Sequence, residues 1–141
     1  MKSLILLLSV LSALATEAAQ ASLVDSLSET GYNWGEAIGI AETTTNSAVR
    51  GQANLRAGSE ESTTQSLREA LTGTYPNCSL AIQNLADNSY SWGEAIGIAE
   101  TTTDSAVRGQ ANQRAAESES NTEVAKQLAN SCIHPNDPNS N

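Results

Sequence analysis

The chain repeats one of its own segments almost unchanged, and this repeat constrains the fold more than any other feature. Residues 32–58 read YNWGEAIGIAETTTNSAVRGQANLRAG, and residues 90–116 read YSWGEAIGIAETTTDSAVRGQANQRAA. The offset is 58 residues, as from Trp34 to Trp92, and only four of the 27 positions differ. Because internal periodicity of this kind marks repeat architectures, we expect two tandem units of one fold.

Apolar residues in the repeat recur every seven positions, which is typical of one buried face of an α-helix. The positions are Leu27, Trp34, Ala41, Ala48 and Leu55 in the first copy and Leu85, Trp92, Ala99 and Ala106 in the second, where the polar Gln113 stands at the last position. The row beside this stripe contains polar residues, so we expect a partly polar helix contact with buried hydrogen bonds. Those polar residues are Thr45, Gln52, Thr103 and Gln110.

Local signals for helix ends predict an all-α fold in which each unit has a short, a long and a short helix. Asn33 and Glu36 match an N-cap residue and its third-position partner, and Gly31 favours the end of a preceding helix. We expect the helices to pack as a small antiparallel bundle, because an exposed apolar stripe is unfavourable. The predicted spans are 22–30, 34–57 and 62–72 in the first unit, and 79–88, 92–117 and 122–132 in the second.

Two glycine pairs, Gly35-x-x-x-Gly39 and Gly93-x-x-x-Gly97, create a notch of small residues beside each tryptophan. A glycine within a helix costs about 0.5–1 kcal/mol relative to alanine. This cost, which Gly51 adds to, implies compensation by close packing or a marginally stable helix. The spacing is diagnostic only for helices in membranes, so we interpret it here as a simple packing notch.

The first residues have the features of an export signal. Lys2 precedes an apolar run that is too short to cross a bilayer, and small residues follow it. We expect residues 1–21 to be a signal peptide cleaved between residues 15 and 21; an uncleaved anchor is the alternative. Helical repeat 1 then spans residues 22–76, helical repeat 2 spans 77–133, and 134–141 form a disordered tail. The mature chain is expected to contain no integral membrane segment.

Export changes how the two cysteines are interpreted, because paired cysteines are common in oxidising compartments. We expect Cys78 and Cys132 to form a disulfide that pins the second repeat, and an intermolecular bond is the alternative. Loop-closure entropy puts the stabilisation from an intramolecular bond at about 4 kcal/mol. Asn77 begins an Asn-x-Ser sequon, which makes it a candidate for glycosylation in a eukaryotic source.

Charge and residue inventory exclude several functions. The sequence has seven Lys and Arg residues and sixteen Asp and Glu residues. The resulting net charge of −9 disfavours binding to nucleic acid. A single histidine makes a catalytic Ser-His-Asp or Cys-His arrangement improbable, and a zinc site needs more ligands than are present. We therefore expect no enzymatic activity, no metal and no cofactor.

The aromatic residues are the best candidates for contact with a partner. Tyr32, Trp34, Tyr90 and Trp92 account for four of the five aromatic side chains. The tryptophans lie on the apolar stripe, so a role in the core is the first interpretation. The second is that they anchor a binding partner.

The near-identity of the two copies has two explanations. Packing requires a pattern of apolar residues, but it does not require identical exposed residues. Either both copies present one surface to the same kind of partner, or the identity reflects a recent duplication or sequence exchange between the copies, without any constraint. The leading hypothesis is a secreted, non-enzymatic repeat protein that self-assembles or presents duplicated binding surfaces, as a coat or matrix component would. The alternatives are a small disulfide-pinned carrier of an apolar ligand and a secreted effector or inhibitor of another protein.

Overall fold

A computed structural model of the chain describes the backbone of residues 2–135 and the side chains of residues 23–135. Over this part the chain is a packed bundle of helices without strands, which confirms the predicted all-α class. The helices are α1 (Lys2–Thr43), α2 (Ser47–Thr74), α3 (Ser79–Thr101) and α4 (Ser105–Ile133), with a 3-10 turn at Pro76–Cys78 between α2 and α3.

The predicted short–long–short pattern is wrong, because the helices break at different residues. The predicted long helix 34–57 is interrupted at residues 44–46, where Asn46 is the N-cap of α2. Its side-chain oxygen accepts hydrogen bonds from the backbone N–H groups of Ala48 at 2.9 Å and Val49 at 3.2 Å. Asp104 caps α4 in the same way. These caps satisfy donors that a helix start leaves open, so the break falls here.

No helix ends at Gly31 or begins at Asn33, and α2 and α4 also run without a break through the gaps predicted at 58–61 and 118–121. The glycines of α1 and α3 instead allow two helices to approach closely. Gly31 lies against Ser89, where an added Cβ would be 3.2 Å from the serine Cβ. The signal that resembles a helix end therefore reflects a tertiary contact.

The predicted apolar stripe and polar seam do not continue into α2 and α4. Because α2 starts anew at Ser47, its buried face is reset, and Leu55 is 78% exposed. The four residues of the predicted polar seam are all exposed and need no buried partners: Thr45, Gln52, Thr103 and Gln110. The residues that α2 does bury are Ala53, Ala57, Thr64 and Leu71.

Helices α1 and α3 form the central contact, and its order is parallel. An added Cβ at Gly31 would meet Ala86 and Ser89, and an added Cβ at Gly39 would meet Gly97 and Ile98 further along α3. Contacts that advance together along both helices describe a parallel pair. The predicted antiparallel packing does not hold for this pair, since helices 58 residues apart are aligned, not reversed.

Each central helix is followed by a helix that folds back along it. Arg56 of α2 reaches Glu36 of α1, and Arg114 of α4 reaches Glu94 of α3. Because α1 and α3 are parallel, the corners at residues 44–46 and 102–104 lie at the same end of the bundle. We call this end the tip.

The apolar core lies at the opposite end, where α1 enters the described part and α4 ends. It combines side chains from all four helices with the disulfide cysteine Cys78: Val24, Leu27, Leu71, Ile82, Leu85, Ala86, Ala125, Ala129 and Ile133. All of these residues come from the sequences that flank the repeat. The core therefore lies outside the nearly identical block, which builds the central contact and the tip.

Two sequence predictions lie outside the described residues. The side chains of the predicted signal peptide, 1–21, and most of the predicted tail, 136–141, are in this group. Val24 and Leu27, the first core residues of α1, follow the predicted cleavage region. Cleavage between residues 15 and 21 would thus leave the described core complete.

Gly51 and Gly109 offer a test of the difference between a glycine required by packing and one that is not. An added Cβ at either position meets nothing within 4 Å. We expect Gly51→Ala/Gly109→Ala to raise the free energy of unfolding by about 0.5–1 kcal/mol per site, because alanine is the better helix former. Urea denaturation followed by circular dichroism measures this gain. A loss of stability would show that the two sites are packed against something.

Candidate functional site

The central contact brings the backbones of α1 and α3 together at glycine. A Cβ on Gly35 would overlap the carbonyl oxygen of Tyr90, and a Cβ on Gly93 would overlap the carbonyl oxygen of Tyr32. Gly39 and Gly97 are placed in the same way against Glu94 and Glu36. The interpretation of these glycines as a packing notch is confirmed. Each of these contacts is made twice, once from each copy.

The four aromatic residues predicted as partner anchors meet one another across this contact. The ring centroids of Tyr32 and Trp92 are 4.8 Å apart at an interplanar angle of 67°. Those of Trp34 and Tyr90 are 4.7 Å apart at 66°. Edge-to-face geometry of this kind is favourable beyond the area it buries. All four side chains are half-buried, and the structure gives them a packing role within the chain.

Carboxyl groups from the two central helices meet on both sides of the contact. Glu94 is close enough to Glu42 to raise the pKa of that carboxyl group, and Glu36 does the same to Glu100. Within one copy Glu36 and Glu42 are six residues apart and lie on different faces of α1. The pairs that form are between copies, and only the parallel alignment of α1 and α3 produces them.

An arginine accompanies each pair of carboxyl groups. Arg56 donates to Glu36 at 2.6 Å, and Arg114 donates to Glu94. Partial desolvation, and then the hydrogen bond and charge of Glu94, raise the pKa of Glu42, while Arg114 opposes the shift. Desolvation and Glu36 raise the pKa of Glu100 in the same way, against Arg56.

The two tyrosines of the contact are held in their neutral form. Burial, followed by the charges of Glu94 and Glu42, raises the pKa of Tyr90 to about 12. Burial and the charges of Glu36 and Glu100 raise the pKa of Tyr32. Neither hydroxyl is poised to act as a base or nucleophile near neutral pH.

The tip carries two exposed segments of nearly identical sequence. We define the tip segments as residues 45–52 and 103–110, which read TNSAVRGQ and TDSAVRGQ, and every residue in both is exposed. The single difference is Asn46 against Asp104, and both residues act as N-caps. Arg50 donates to the carbonyl oxygen of Thr44 at 2.8 Å, and Arg108 does the same to Thr102.

The remaining predicted site residues lie at the core end. Cys78 and Cys132 form a disulfide within the chain, with a Cα–Cα distance of 5.8 Å. This excludes the intermolecular alternative for the described fold and suggests that the chain folds in an oxidising environment. Asn77 is exposed in the turn beside Cys78, and its glycosylation stays a prediction.

Grooves on the surface are lined by polar as well as apolar groups. One of about 300 Å³ lies beside Trp34 and Tyr90, with Gln65, Arg68 and Asp87 among its lining residues. Within residues 23–135 no three His, Cys, Asp or Glu side chains are grouped as a metal site would need. No helix of the described part is both long and apolar enough to cross a bilayer.

Comparison with known proteins gives no match: no family model, no curated protein and no solved structure resembles the chain significantly.

Proposed function

We propose that the chain is a secreted, non-enzymatic protein that presents two copies of one binding surface at the tip of its bundle. The two halves act as tandem structural repeats, each a helical hairpin formed by α1 with α2 or by α3 with α4. The observation that carries the proposal is the near-identity of two segments that are exposed throughout. An extracellular coat or matrix component would use such a surface to join partners.

Packing accounts for identity in only part of the repeat. Around Gly35 and Gly93 each copy packs against the other, so both copies need glycine there. At the corner, Asn46 caps α2 and Arg50 donates a hydrogen bond to the carbonyl oxygen of Thr44. Ala48, Gly51 and Gln52 are exposed and recur at Ala106, Gly109 and Gln110. Exposed residues away from structural contacts usually tolerate substitution, so their recurrence favours a shared external contact.

The sequences that follow the tip argue against a recent, unconstrained duplication. Residues 59–75 and 117–133 occupy equivalent places in the two copies and share only Glu61, Ser62 and Thr64 with Glu119, Ser120 and Thr122. A duplication too recent to have diverged would have left these flanks similar as well. Divergence at exposed positions of the flanks, beside identity at exposed positions of the tip, supports selection on the tip.

The position of the two tip segments at one end makes the surface bivalent. A partner with two equivalent sites, such as another copy of this chain or a repetitive matrix, engages both segments in a single approach. Once the first segment is bound, the second binds at a high effective concentration, and avidity rises by about 10²–10⁴ over one segment alone.

The test adds positive charge to the tip without disturbing the fold. Gln52→Arg and Gln110→Arg each place a bulky cation on an exposed helix position, and arginine is a good helix former. Gln83→Arg/Gln127→Arg is the matched control, because both glutamines are exposed but lie outside the tip. Sedimentation over a wide concentration range measures self-association, and retention on a column of immobilised wild-type protein measures capture of extracellular partners from the native fluid.

We expect the control to behave as wild type, each single tip variant to bind with strongly reduced avidity, and the double variant to lose binding. If the double tip variant associates as the wild type does, the tip is not the binding surface. A wild-type chain that is strictly monomeric and captures no extracellular protein would contradict the proposal as a whole.

A further inference from the structure

A groove of about 300 Å³ on the side of the bundle combines an aromatic wall with polar side chains. The wall is the edge-to-face pair of Trp34 and Tyr90, whose ring centroids are 4.7 Å apart. Both residues are only half-buried, so the pair leaves apolar ring surface for a ligand to cover. The polar side chains come from Gln65 and Arg68 of α2 and from Asp87 of α3.

The polar side chains of the groove offer both hydrogen-bond donors and acceptors. Arg68 donates a hydrogen bond to the side-chain oxygen of Gln65, which lies three residues earlier on α2, so the two side chains orient each other. The amide nitrogen of Gln65 and the other N–H groups of Arg68 are donors for a ligand. Asp87 is exposed and supplies two acceptor oxygens.

The two charges of the groove balance, but they are not paired with each other. Arg68 and Asp87 line the same groove, yet none of the ion pairs among residues 23–135 involves either side chain. An anion in the groove would be attracted by Arg68 and repelled by Asp87, and a cation the reverse. The groove therefore favours an uncharged ligand that has an apolar face and several hydrogen-bonding groups.

We propose that this groove binds a neutral saccharide, one sugar ring of which packs against the Trp34–Tyr90 pair. A sugar ring presents C–H groups on its faces, which pack on aromatic rings. The hydroxyl groups at its rim each donate and accept, and they bond to Gln65, Arg68 and Asp87. Ligand sites have volumes of about 300–1,000 Å³, so this groove suits a monosaccharide or disaccharide unit. The site lies outside the tip segments and does not depend on the function proposed for them.

The polar side chains of the groove belong to one copy only, although the aromatic pair occurs in both. The equivalent pair is Tyr32 with Trp92. Beside it, Lys126 lies 3.8 Å from Asp25 in an ion pair, and lysine lacks the planar fork of the guanidinium group. The positions equivalent to Gln65, Arg68 and Asp87 are Glu123, Lys126 and Glu29. These side chains have a net negative charge, so the second copy provides a natural control.

The test measures the binding of neutral oligosaccharides by calorimetry and tryptophan fluorescence. The probes are maltotriose, cellotriose and chitotriose, and the trimer of galacturonic acid is the charged comparison. The groove variant is Arg68→Ala/Asp87→Ala, which changes a half-buried and an exposed residue to a good helix former. Glu29→Ala/Lys126→Ala is the matched control, because it removes one charge of each sign at the equivalent positions. Trp34 stays in place, since it packs in the central contact.

We expect wild type and control to bind at least one neutral probe, with a change in tryptophan emission. The groove variant is expected to bind it about tenfold or more weakly, because hydrogen bonds to charged groups are lost. The tip variant Gln52→Arg/Gln110→Arg should bind the probe as wild type does, which separates this site from the tip. The proposal is overturned if no neutral probe binds, if the charged trimer binds more tightly, or if the groove variant binds as well as the control.

Discussion

Alanine at Gly35 and Gly93 is expected to unfold the bundle or leave it without a fixed tertiary structure. Each added Cβ overlaps a backbone carbonyl oxygen of the opposite central helix. A flexible side chain could rotate away, but a backbone carbonyl within a helix cannot. Overpacking costs about 1–3 kcal/mol at a typical core site, and two rigid sites together approach the total stability of a small domain, about 5–15 kcal/mol.

Circular dichroism and tryptophan fluorescence measure this loss. We expect the Gly35→Ala/Gly93→Ala variant to lose its cooperative thermal transition and to lose the environment of the Tyr32–Trp92 and Trp34–Tyr90 pairs. Gly51→Ala/Gly109→Ala is the matched control, since it makes the same chemical change at open positions and is expected to stabilise. If both double variants melt cooperatively at or above the wild-type temperature, α1 and α3 do not meet at these glycines.

Reduction of the Cys78–Cys132 disulfide is expected to have the second large effect. The bond closes a loop of 54 residues, which corresponds to about 4 kcal/mol of loop-closure entropy. It also joins the start of α3 to the end of α4 where the only cluster of larger apolar side chains among residues 23–135 lies. For a domain of this size, such a loss lowers the melting temperature by about 20 °C.

Calorimetry with and without a reductant measures the shift. Cys78→Ala/Cys132→Ala serves as the control, because its melting temperature should be low from the start and unaffected by reductant. Identical melting curves for oxidised and reduced wild type would mean that the apolar core is stable without the disulfide.

The all-α class and the disulfide could be predicted from the sequence because their signals are local or compositional. The periodic stripe holds within α1, where Leu27 is fully buried and Trp34 and Ala41 are half-buried. The predicted export favoured an oxidised pair, and the sequence has only two cysteines to form it. The glycine spacing indicated a close contact, although it could not identify the helix that would fill the notch.

The helix boundaries could not be predicted because two signals had competing meanings. Gly31 and Asn33 resemble a helix end and an N-cap, but tertiary packing of α3 on α1 keeps this part helical. The true break carried a subtler signal: Asn46 and Asp104 are among the few positions that differ, and the exchange preserves a good N-cap residue.

The candidate site could not be predicted from the sequence for a related reason. The carboxyl pairs and the shared tip depend on parallel alignment of α1 with α3, and helical periodicity carries no information about the direction of the neighbouring helix. The exposed state of the tip segments likewise depends on the break at residues 44–46. Without it, Ala48 would continue the buried stripe of α1.

The distance between the two tip segments tests the central claim, the parallel alignment of α1 and α3, most directly. Spin labels attached to unnatural residues at exposed Thr45 and Thr103 leave the native cysteines intact. Because the parallel helices α1 and α3 are in contact, and packed helices lie about 10 Å apart, we expect a narrow distribution near ~20 Å. An antiparallel arrangement would place the two tip segments at opposite ends of the bundle. A helix such as α2, with 28 residues, spans about 42 Å. A distribution centred near ~40 Å would contradict the account.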